Sequence, residues 1–387
     1  MDRTAGRKWR ILPGKSRGAS LFLFEPFKLR SVVFRNRLGL APMSQYSAED
    51  HRPVDWHFAH YLTRSMGLGL TLVEATAVSR EGAVTPQDLG VWDDTFVAPL
   101  RRLVEVIESQ GAVPGLQLSH AGRKASRTRP WDGDVSLPVQ SGGWPIVGPS
   151  PTRFAEGYLT PEPLDEPAID AVVDDFSQAA RRAREAGFRF LELHAGHGRL
   201  LHSFLSPLAN ERTDRWGGSF ENRCRLLLDV VRGVRGHWPD ELPLSVRLSC
   251  VDWAEGGWSL EDSVRASELL RSAGVDLIDC TSGGIMRPLR VEAKPGYQVE
   301  FAKEIRKGAG IATAAVGLIQ DVRQARQVVE AGDADMVLMG RSLLADPLQV
   351  IRLADRGETG VIPRQYRRAF TSTARAPRPS SDFIPEL

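Results

Sequence analysis

The chain has 387 residues, of which 42% are hydrophobic and 25% are charged, and its formal net charge is +2. This composition is that of a globular protein and not of a disordered one, and so small a net charge argues against nucleic acid or a membrane as the main partner. We therefore expect a small-molecule substrate. The three cysteines lie far apart without a CxxC pair, which excludes a disulfide framework and fits a reducing cytoplasm.

The N-terminal 20 residues are basic but lack the apolar run of a signal peptide. We interpret residues 1–20 as a flexible tail, residues 21–370 as one domain and residues 371–387 as a C-terminal tail. No segment approaches the about 18 uninterrupted apolar residues of a membrane-spanning helix. The first part of the domain reads LFLFEPFKLRSVVFRNR, and its alternation around a turn predicts a short β-hairpin.

Eight short apolar runs follow the predicted hairpin and alternate with segments of helical period, which is the pattern of βα units and a parallel sheet. The runs occupy residues 38–41, 70–74, 113–118, 190–193, 244–248, 277–279, 311–316 and 336–339. No GxGxxG turn follows the first strand, so a closed (β/α)8 barrel is favoured over an open doubly wound sheet. Residues 125–166, rich in Pro, Gly, Ser and Trp, predict a long lid or binding loop after strand 3.

Polar residues that follow the strands are the candidates for chemistry, because the active site of such a barrel lies where its strands end. His194 and His197 follow strand 4, three residues apart, and can both donate hydrogen bonds to a substrate oxygen that gains negative charge during reduction. A packed structural histidine is the alternative for either one. A zinc site formed with His202 has no further support in the sequence, and we predict no metal.

A phosphate site is suggested after strands 7 and 8. Gly340 and Arg341 lie between strand 8 and a helix, where backbone N–H groups and the helix dipole favour an anion, and Gly317 follows strand 7. An ordinary strand-to-helix turn is the alternative. Arg247 ends strand 5 and needs an anion or an electron-rich ring as its partner, with a structural salt bridge as the other possibility.

Six motifs in order give the chain a resemblance to a known family. They read RNRLGLAPMSQYS, QLSHAGRK, HAGHGRLLHSFLSPLANERTDRWGGSFENR, GVDLIDCTSGG, PGYQVEFA and GRSLLADP, within residues 22–370. The chain resembles the Old Yellow Enzyme family, in particular its bacterial YqjM-like branch. That resemblance implies a non-covalent FMN, reduced by NADPH or NADH, which passes hydride to an activated alkene such as an enone.

The resemblance also implies residue roles. By position, His194 and His197 hold the substrate carbonyl, and Tyr46 and Lys124 line the pocket. Gly317, Gly340 and Arg341 bind the phosphate. Arg368 corresponds to an arginine that reaches the neighbouring subunit's site in a dimer or tetramer. The residues that contact the isoalloxazine ring are Pro42, Met43, Ser44, Ala75, Gln117 and Arg247.

The sequence departs from the family pattern at two positions. Ser44 stands where the YqjM-like branch has a cysteine that tunes the flavin, so the redox-sensitive thiol is replaced by a hydroxyl. Arg199 stands where the family has a tyrosine that donates a proton to the alkene, and a guanidinium with a pKa above about 12 is no ordinary acid. Tyr46 or water then supplies the proton, or Arg199 binds a substrate carboxylate or phosphate, or its side chain simply points to solvent.

Three function classes therefore stay open from the sequence. The first is an FMN-dependent ene-reductase. The second is a flavin-dependent dehydrogenase or demethylase, or a reductase of nitro compounds or nitrate esters, none of which needs the missing acid. The third is a flavin-free barrel, either a lyase or a ligand-binding protein that holds a phosphate ester.

Overall fold

A computed structural model describes residues 22–288, 291–353 and 361–370. The predicted tails at residues 1–20 and 371–387 lie outside these ranges. Within the ranges, twelve strands occur in chain order. They are β1 (Phe27–Leu29), β2 (Val32–Phe34), β3 (Leu38–Leu40), β4 (Leu70–Ala77), β5 (Val113–Ser119), β6 (Val147–Gly148), β7 (Glu162–Pro163), β8 (Phe190–Ala195), β9 (Leu244–Ser249), β10 (Leu277–Thr281), β11 (Ala312–Ala315) and β12 (Met336–Met339).

Eight of these strands close into a parallel barrel in the order β3-β4-β5-β8-β9-β10-β11-β12, and β12 pairs again with β3. Helices connect most of the strands, as parallel pairing requires. The helices are α1 (Asp55–Arg64), α2 (Val97–Ser109), α3 (Glu166–Ala186), α4 (Leu200–Leu205), α5 (Phe220–His237), α6 (Leu260–Ser272), α7 (Val299–Ala309), α8 (Val322–Glu330), α9 (Arg341–Ala345), α10 (Gln349–Leu353) and α11 (Arg367–Phe370). The predicted (β/α)8 fold is confirmed.

The predicted hairpin is also confirmed, because β1 and β2 pair antiparallel through Phe27↔Phe34. Phe34 and Val32 are fully buried and pack against residues at the beginnings of the barrel strands, among them Leu70, Val113 and Phe190. The hairpin therefore closes the N-terminal end of the barrel. The opposite, C-terminal end is left as the mouth of the barrel.

The interior of the barrel changes character along its axis. An apolar cluster fills the N-terminal half, with Leu72, Leu277 and Met336 among its members. Further along the same strands the inward side chains become polar, because inward residues recur every second position and the sequence places polar residues there. Burying apolar side chains at one end stabilises the fold, and the polar side chains at the other end are free to bind a ligand.

Three details differ from the sequence-based expectation. Strand β4 extends three residues beyond the predicted end at Glu74, with a shift in register between Val73 and Ala75. Helix α1 was not expected, because its sequence DWHFAHYLTR is rich in residues of modest helix propensity. The long segment after β5 is mostly irregular, as predicted, but it carries the small β6–β7 sheet.

None of the described helices is long and apolar enough to cross a membrane. All three cysteines are buried and unpaired.

Candidate active site

Strand register brings the predicted polar residues together in two layers at the mouth of the barrel. Pairing of Ala75 with Gln117 and of Gln117 with Glu192 forms the deeper layer. His194 pairs with Arg247, and Arg247 pairs with Asp279, in the layer above. Neighbouring strands thus hold side chains from distant parts of the sequence at one level.

A network of buried carboxyl groups supports Gln117 and Arg247. The Gln117 amide donates from Nε2 to Glu192 Oε1 at 2.8 Å, and Arg247 Nε lies 3.0 Å from Asp279 Oδ2. Burial, reinforced by the nearby Asp279, raises the pKa of Glu192 to about 8. Burial also raises the pKa of Asp279, and the Arg247 guanidinium offsets part of that shift. The carboxyl groups orient the amide and the guanidinium from below.

His194 and His197 converge on one point in the mouth. His197 Nδ1 lies 3.4 Å from His194 Nε2, and the two rings are 5.2 Å apart at an interplanar angle of 73°. Both nitrogens therefore face the same small volume. An acceptor atom placed there is within reach of both rings, which is the arrangement that the sequence predicted for a substrate oxygen.

Several contacts fix His197 in this position. Its backbone has a left-handed φ of 54°, its N–H donates to Ser249 Oγ at 2.8 Å, and its carbonyl accepts from Lys124 Nζ at 2.8 Å. Ring atom Nε2 lies 2.9 Å from Thr281 Oγ1. A hydroxyl that donates to Nε2 leaves the ring proton on Nδ1, the nitrogen that faces His194.

Both imidazoles are neutral. Burial lowers the pKa of His194 and of His197 well below the usual value, and the nearby cations Arg247, Lys124 and Arg199 lower both further. Burial and the same positive surroundings also lower the pKa of Lys124 well below its usual value. Neutral imidazoles can donate to an oxygen without placing two further positive charges beside the guanidinium groups of Arg247 and Arg199.

His202 does not join this pair as a third metal ligand. Its Nδ1 accepts from the Gly198 backbone N–H at 2.9 Å, and its Nε2 lies 3.0 Å from Asp252 Oδ1. Burial alone would raise the pKa of Asp252, but His202 and the hydrogen bonds from Ser206 and the Trp258 N–H together outweigh that effect, and the net shift is downward. His202 therefore positions the loop that carries His197, and the zinc interpretation lacks a free nitrogen on this ring.

The segment after β3 carries four of the predicted residues. Pro42 is buried, and Met43, Ser44 and Tyr46 are half-buried. Glu74, at the register shift in β4, contacts this segment. Its Oε2 accepts a hydrogen bond from the backbone N–H of Gln45 at 2.6 Å. A register shift of this kind re-aims the strand's side chains.

Tyr46 and Arg199 lie near one another in the mouth. Burial raises the pKa of Tyr46, and the positive charge of Arg199 and a hydrogen bond with Ser44 lower it in part. The phenol is therefore protonated at neutral pH. Arg199 is half-buried, and its Nε and Nη1 are buried without a hydrogen-bond partner. Burial of these atoms contradicts the alternative in which the side chain simply points to solvent.

The three residues expected at the phosphate follow β11 and β12, as predicted. Gly317 has a left-handed φ of 113°, and a Cβ there would lie 2.6 Å from Gln298 Nε2. Gly340 precedes α9, and its missing side chain would lie 3.4 Å from Met43 Sδ. Arg341 is exposed at the first position of α9. Both glycines leave backbone accessible where a side chain would fill the space.

Arg368 does not lie in the mouth of its own chain. It belongs to α11, and the preceding residues line a cavity with Arg35, Ser109 and Gln110, which precede barrel strands. The C-terminal segment therefore packs near the N-terminal end of the barrel. The structure brings the other predicted residues together at the opposite end.

Sequence reasoning missed the supporting residues Glu192, Asp279, Thr281 and Ser249. Glu192 and Ser249 lie two residues from His194 and Arg247, whereas Asp279 and Thr281 lie on β10, a strand from which no residue was singled out. The alternation of inward and outward positions was the signal that could have found them.

The residues of the mouth fit the FMN that the resemblance implies. Among the described residues neither Nη atom of Arg247 makes a hydrogen bond, so both are left for a group in the mouth. The buried Gln117 and the hydroxyl of Ser44 add further polar groups for a flavin ring. The open backbone at Gly317 and Gly340 suits a phosphate.

Comparisons with known proteins agree with this geometry. The model of the FMN oxidoreductases, described as the NADH:flavin oxidoreductase / NADH oxidase family, matches residues 22–359. The NADPH dehydrogenase of Listeria innocua is 43% identical over 90% of this chain and 99% of its own length, and that of Bacillus subtilis is 40% identical over the same shares. The solved old yellow enzyme homologue from Zymomonas mobilis superposes with a TM-score of 0.72 at 26% identity, covering 84% of this chain and 90% of its own. The chain therefore belongs to the NADH:flavin oxidoreductase / NADH oxidase family, as an FMN-dependent oxidoreductase of the Old Yellow Enzyme type that is reduced by NADPH or NADH.

Proposed function

We propose that this enzyme is an ene-reductase that reduces activated alkenes, and that His194 and His197 hold the substrate's carbonyl oxygen. The observation that carries the proposal is the convergence of His194 Nε2 and His197 Nδ1 to 3.4 Å. A carbonyl oxygen conjugated to an alkene gains negative charge as hydride arrives at the β-carbon. Two N–H donors aimed at that oxygen stabilise the charge where it develops.

The proton positions follow from the contacts of each ring. A Thr281 hydroxyl that donates to His197 Nε2 leaves the ring proton on Nδ1, where it faces the substrate oxygen. His194 Nδ1 is buried without a partner, so nothing in the protein holds the proton on that nitrogen. When an acceptor oxygen enters between the rings, the His194 proton is therefore free to occupy Nε2. Both rings then donate to the same oxygen.

The remaining predicted residues take supporting roles. Bound FMN supplies the hydride from N5, after reduction by NADPH or NADH. Pro42, Met43, Ser44, Ala75, Gln117 and Arg247 would contact its ring, and Gly317, Gly340 and Arg341 would hold its phosphate. Lys124 holds the backbone of His197 through its Nζ. In a dimer or a tetramer, Arg368 reaches the neighbouring subunit's site.

Tyr46 is the proposed proton donor to the α-carbon. Its phenol remains protonated at neutral pH, because burial raises its pKa. Arg199 cannot take that role, because a guanidinium does not release its proton in this pH range. The Ser44 hydroxyl next to Tyr46 helps to orient the phenol.

The test separates flavin reduction from alkene reduction. FMN-saturated enzyme is reduced anaerobically with NADPH and then reoxidised in stopped flow by cyclohexenone, maleimide, a nitrate ester or a carboxylated alkene. We expect His194→Ala and His197→Ala to lower kcat/KM for the enones by about 10²- to 10³-fold. His237→Ala, on the far end of α5, is the matched control. Enone reduction that is equally fast in all four proteins would overturn the proposal.

One observation favours a second candidate. A half-buried arginine stands where alkene reduction needs an acid, and reduction of nitro compounds or nitrate esters, or dehydrogenation by a flavin dehydrogenase or demethylase, does not need that proton. Faster reoxidation by the nitrate ester than by any alkene in the same panel would favour this candidate. The flavin-free alternative is removed by the family to which the chain belongs.

A further inference from the structure

Arg199 is a half-buried cation with no ion-pair partner among the residues that the structure describes. Its Nε and Nη1 are shielded from solvent and make no hydrogen bond, and no carboxylate of the described residues lies within 4 Å of its guanidinium. A buried guanidinium without a partner is costly, and proteins keep such a group where a ligand supplies the missing charge.

The surroundings of Arg199 are the walls of the mouth. Its charge lowers the pKa of seven groups, namely Tyr46, Asp88, His120, Lys124, Tyr158, His194 and His197. Both imidazoles of the carbonyl site belong to this set. The guanidinium therefore lies within electrostatic reach of the volume in which His194 and His197 converge.

Asp88 is the acidic member of that set, and its oxygens are already used. Asp88 Oδ2 accepts from the Val84 backbone N–H at 2.8 Å, and Oδ1 accepts from the Thr85 hydroxyl at 2.8 Å. Asp279, another acid of the mouth, is paired with Arg247. Neither of these carboxyl groups therefore hydrogen-bonds or ion-pairs with Arg199.

The backbone around Arg199 is held in place. Its N–H donates to the carbonyl of Gly196 at 3.1 Å, and its carbonyl accepts from the Ser203 N–H at 2.8 Å. The preceding Gly198 N–H donates to the buried His202. A guanidinium on so fixed a backbone loses little freedom when it binds a ligand.

We propose that Arg199 binds a carboxylate of the substrate, so that the enzyme's preferred substrates are alkenes that carry a carboxylate in addition to the carbonyl held by His194 and His197. The inference rests on the proposed ene-reductase function. A planar guanidinium matches a carboxylate in a bidentate pair, which gives geometric selection as well as binding. Arg199 in place of the family's proton-donating tyrosine then changes which substrates are bound, and Tyr46 donates the proton.

A binding experiment tests the subsite without turnover. Levulinate, a saturated keto acid, and its methyl ester differ in one charge and share the ketone that the histidine pair would hold. Their affinities for oxidised, FMN-loaded enzyme are measured by isothermal titration calorimetry. We expect levulinate to bind about 10- to 100-fold more tightly, the range for a charge-assisted pair. Equal affinity, or tighter binding of the ester, would overturn the subsite.

Three variants locate the effect. Arg199→Gln removes the charge. Arg199→Lys keeps the charge but cannot form the planar bidentate pair, and Arg287→Gln is the matched control. Arg287 is an exposed arginine that affects the pKa of the same Lys124 and that pairs with Asp134. We expect the preference for levulinate to disappear in Arg199→Gln, to shrink in Arg199→Lys and to persist in Arg287→Gln. Persistence in both Arg199 variants, with FMN content retained, would refute the role of Arg199.

Turnover separates this inference from the function on which it rests. The substrates are 4-oxo-2-pentenoate and its methyl ester, which both present an enone. Reduction of both with no preference for the acid contradicts the subsite and leaves the ene-reductase function standing. Failure to reduce either, with levulinate still preferred in calorimetry, contradicts the function and supports the subsite.

The phosphates of NADPH are another source of negative charge, and a separate measurement covers them. If Arg199→Gln weakens NADPH binding more than NADH binding while levulinate keeps its preference, Arg199 serves the nicotinamide cofactor and the proposal fails. If the same variant weakens FMN retention alone, the arginine serves the flavin and the proposal also fails.

Discussion

Glu74 offers the sharpest test of how the mouth of the barrel is held together. Its carboxyl group is fully buried between β4 and α1, where Oε1 accepts from Tyr61 Oη at 3.1 Å and Oε2 accepts from the Gln45 N–H at 2.6 Å. His57 Nε2 lies 3.5 Å from Oε1. Burial lowers the pKa of His57 to about 4 and raises that of Glu74 to about 8. The two groups therefore meet as a neutral acid and a neutral imidazole.

The sign of the pH effect follows from the raised pKa. An acid whose pKa is higher in the folded than in the unfolded protein stabilises the fold fully below its unfolded pKa, here 4.5, and loses that contribution as pH rises through about 8. At about 1.4 kcal/mol for each pKa unit, the free energy at stake has an upper limit of about 5 kcal/mol. Glu74→Gln removes the titration but keeps the side chain's shape.

The assay compares variants over pH. Urea unfolding of FMN-saturated wild type and Glu74→Gln is followed from pH 5 to pH 9, and the difference between their unfolding free energies is plotted against pH. We expect the variant to gain relative to the wild type by up to about 1.4 kcal/mol for each pH unit. Glu49→Gln, an exposed carboxyl near the same segment, is the control. A difference for Glu74→Gln that stays constant over this range would refute the reasoning.

Three further predictions concern the loop that carries the histidine pair and the proton donor. Asp252→Asn leaves the buried His202 without its charged partner, and we expect a loss of about 3 to 5 kcal/mol in urea unfolding; an unchanged midpoint would contradict the pair's role. Gly198→Ala, at a φ of 71°, places a Cβ 2.2 Å from the Gly284 carbonyl oxygen, so its melting temperature should fall well below that of the control Gly236→Ala. Tyr46→Phe should slow reoxidation by cyclohexenone by about 10²- to 10⁴-fold, whereas an unchanged rate would assign the proton to water.

The barrel and the position of the site were predictable from the sequence. Eight apolar runs of strand length alternate with segments of helical period, and this pattern is read locally along the chain. Because parallel strands of a barrel end at the same face, the residues after each run could be placed together without coordinates. His194, Arg247 and Gln117 were found in this way. Helix α1 was not, because its helical state depends on burying His57 and Tyr61 and only weakly on local propensity.

The sequence by itself determined the fold, the end of the barrel that carries the chemistry and the family to which the chain is similar. Only the tertiary structure decided which polar groups have partners. Arg199 and Arg247 both follow predicted strands in the sequence. Arg247 meets Asp279 on the adjacent strand, whereas no carboxylate of the described residues lies within 4 Å of the Arg199 guanidinium. That difference arises from contacts between residues far apart in the chain, and the free energy of a buried charge depends on those contacts.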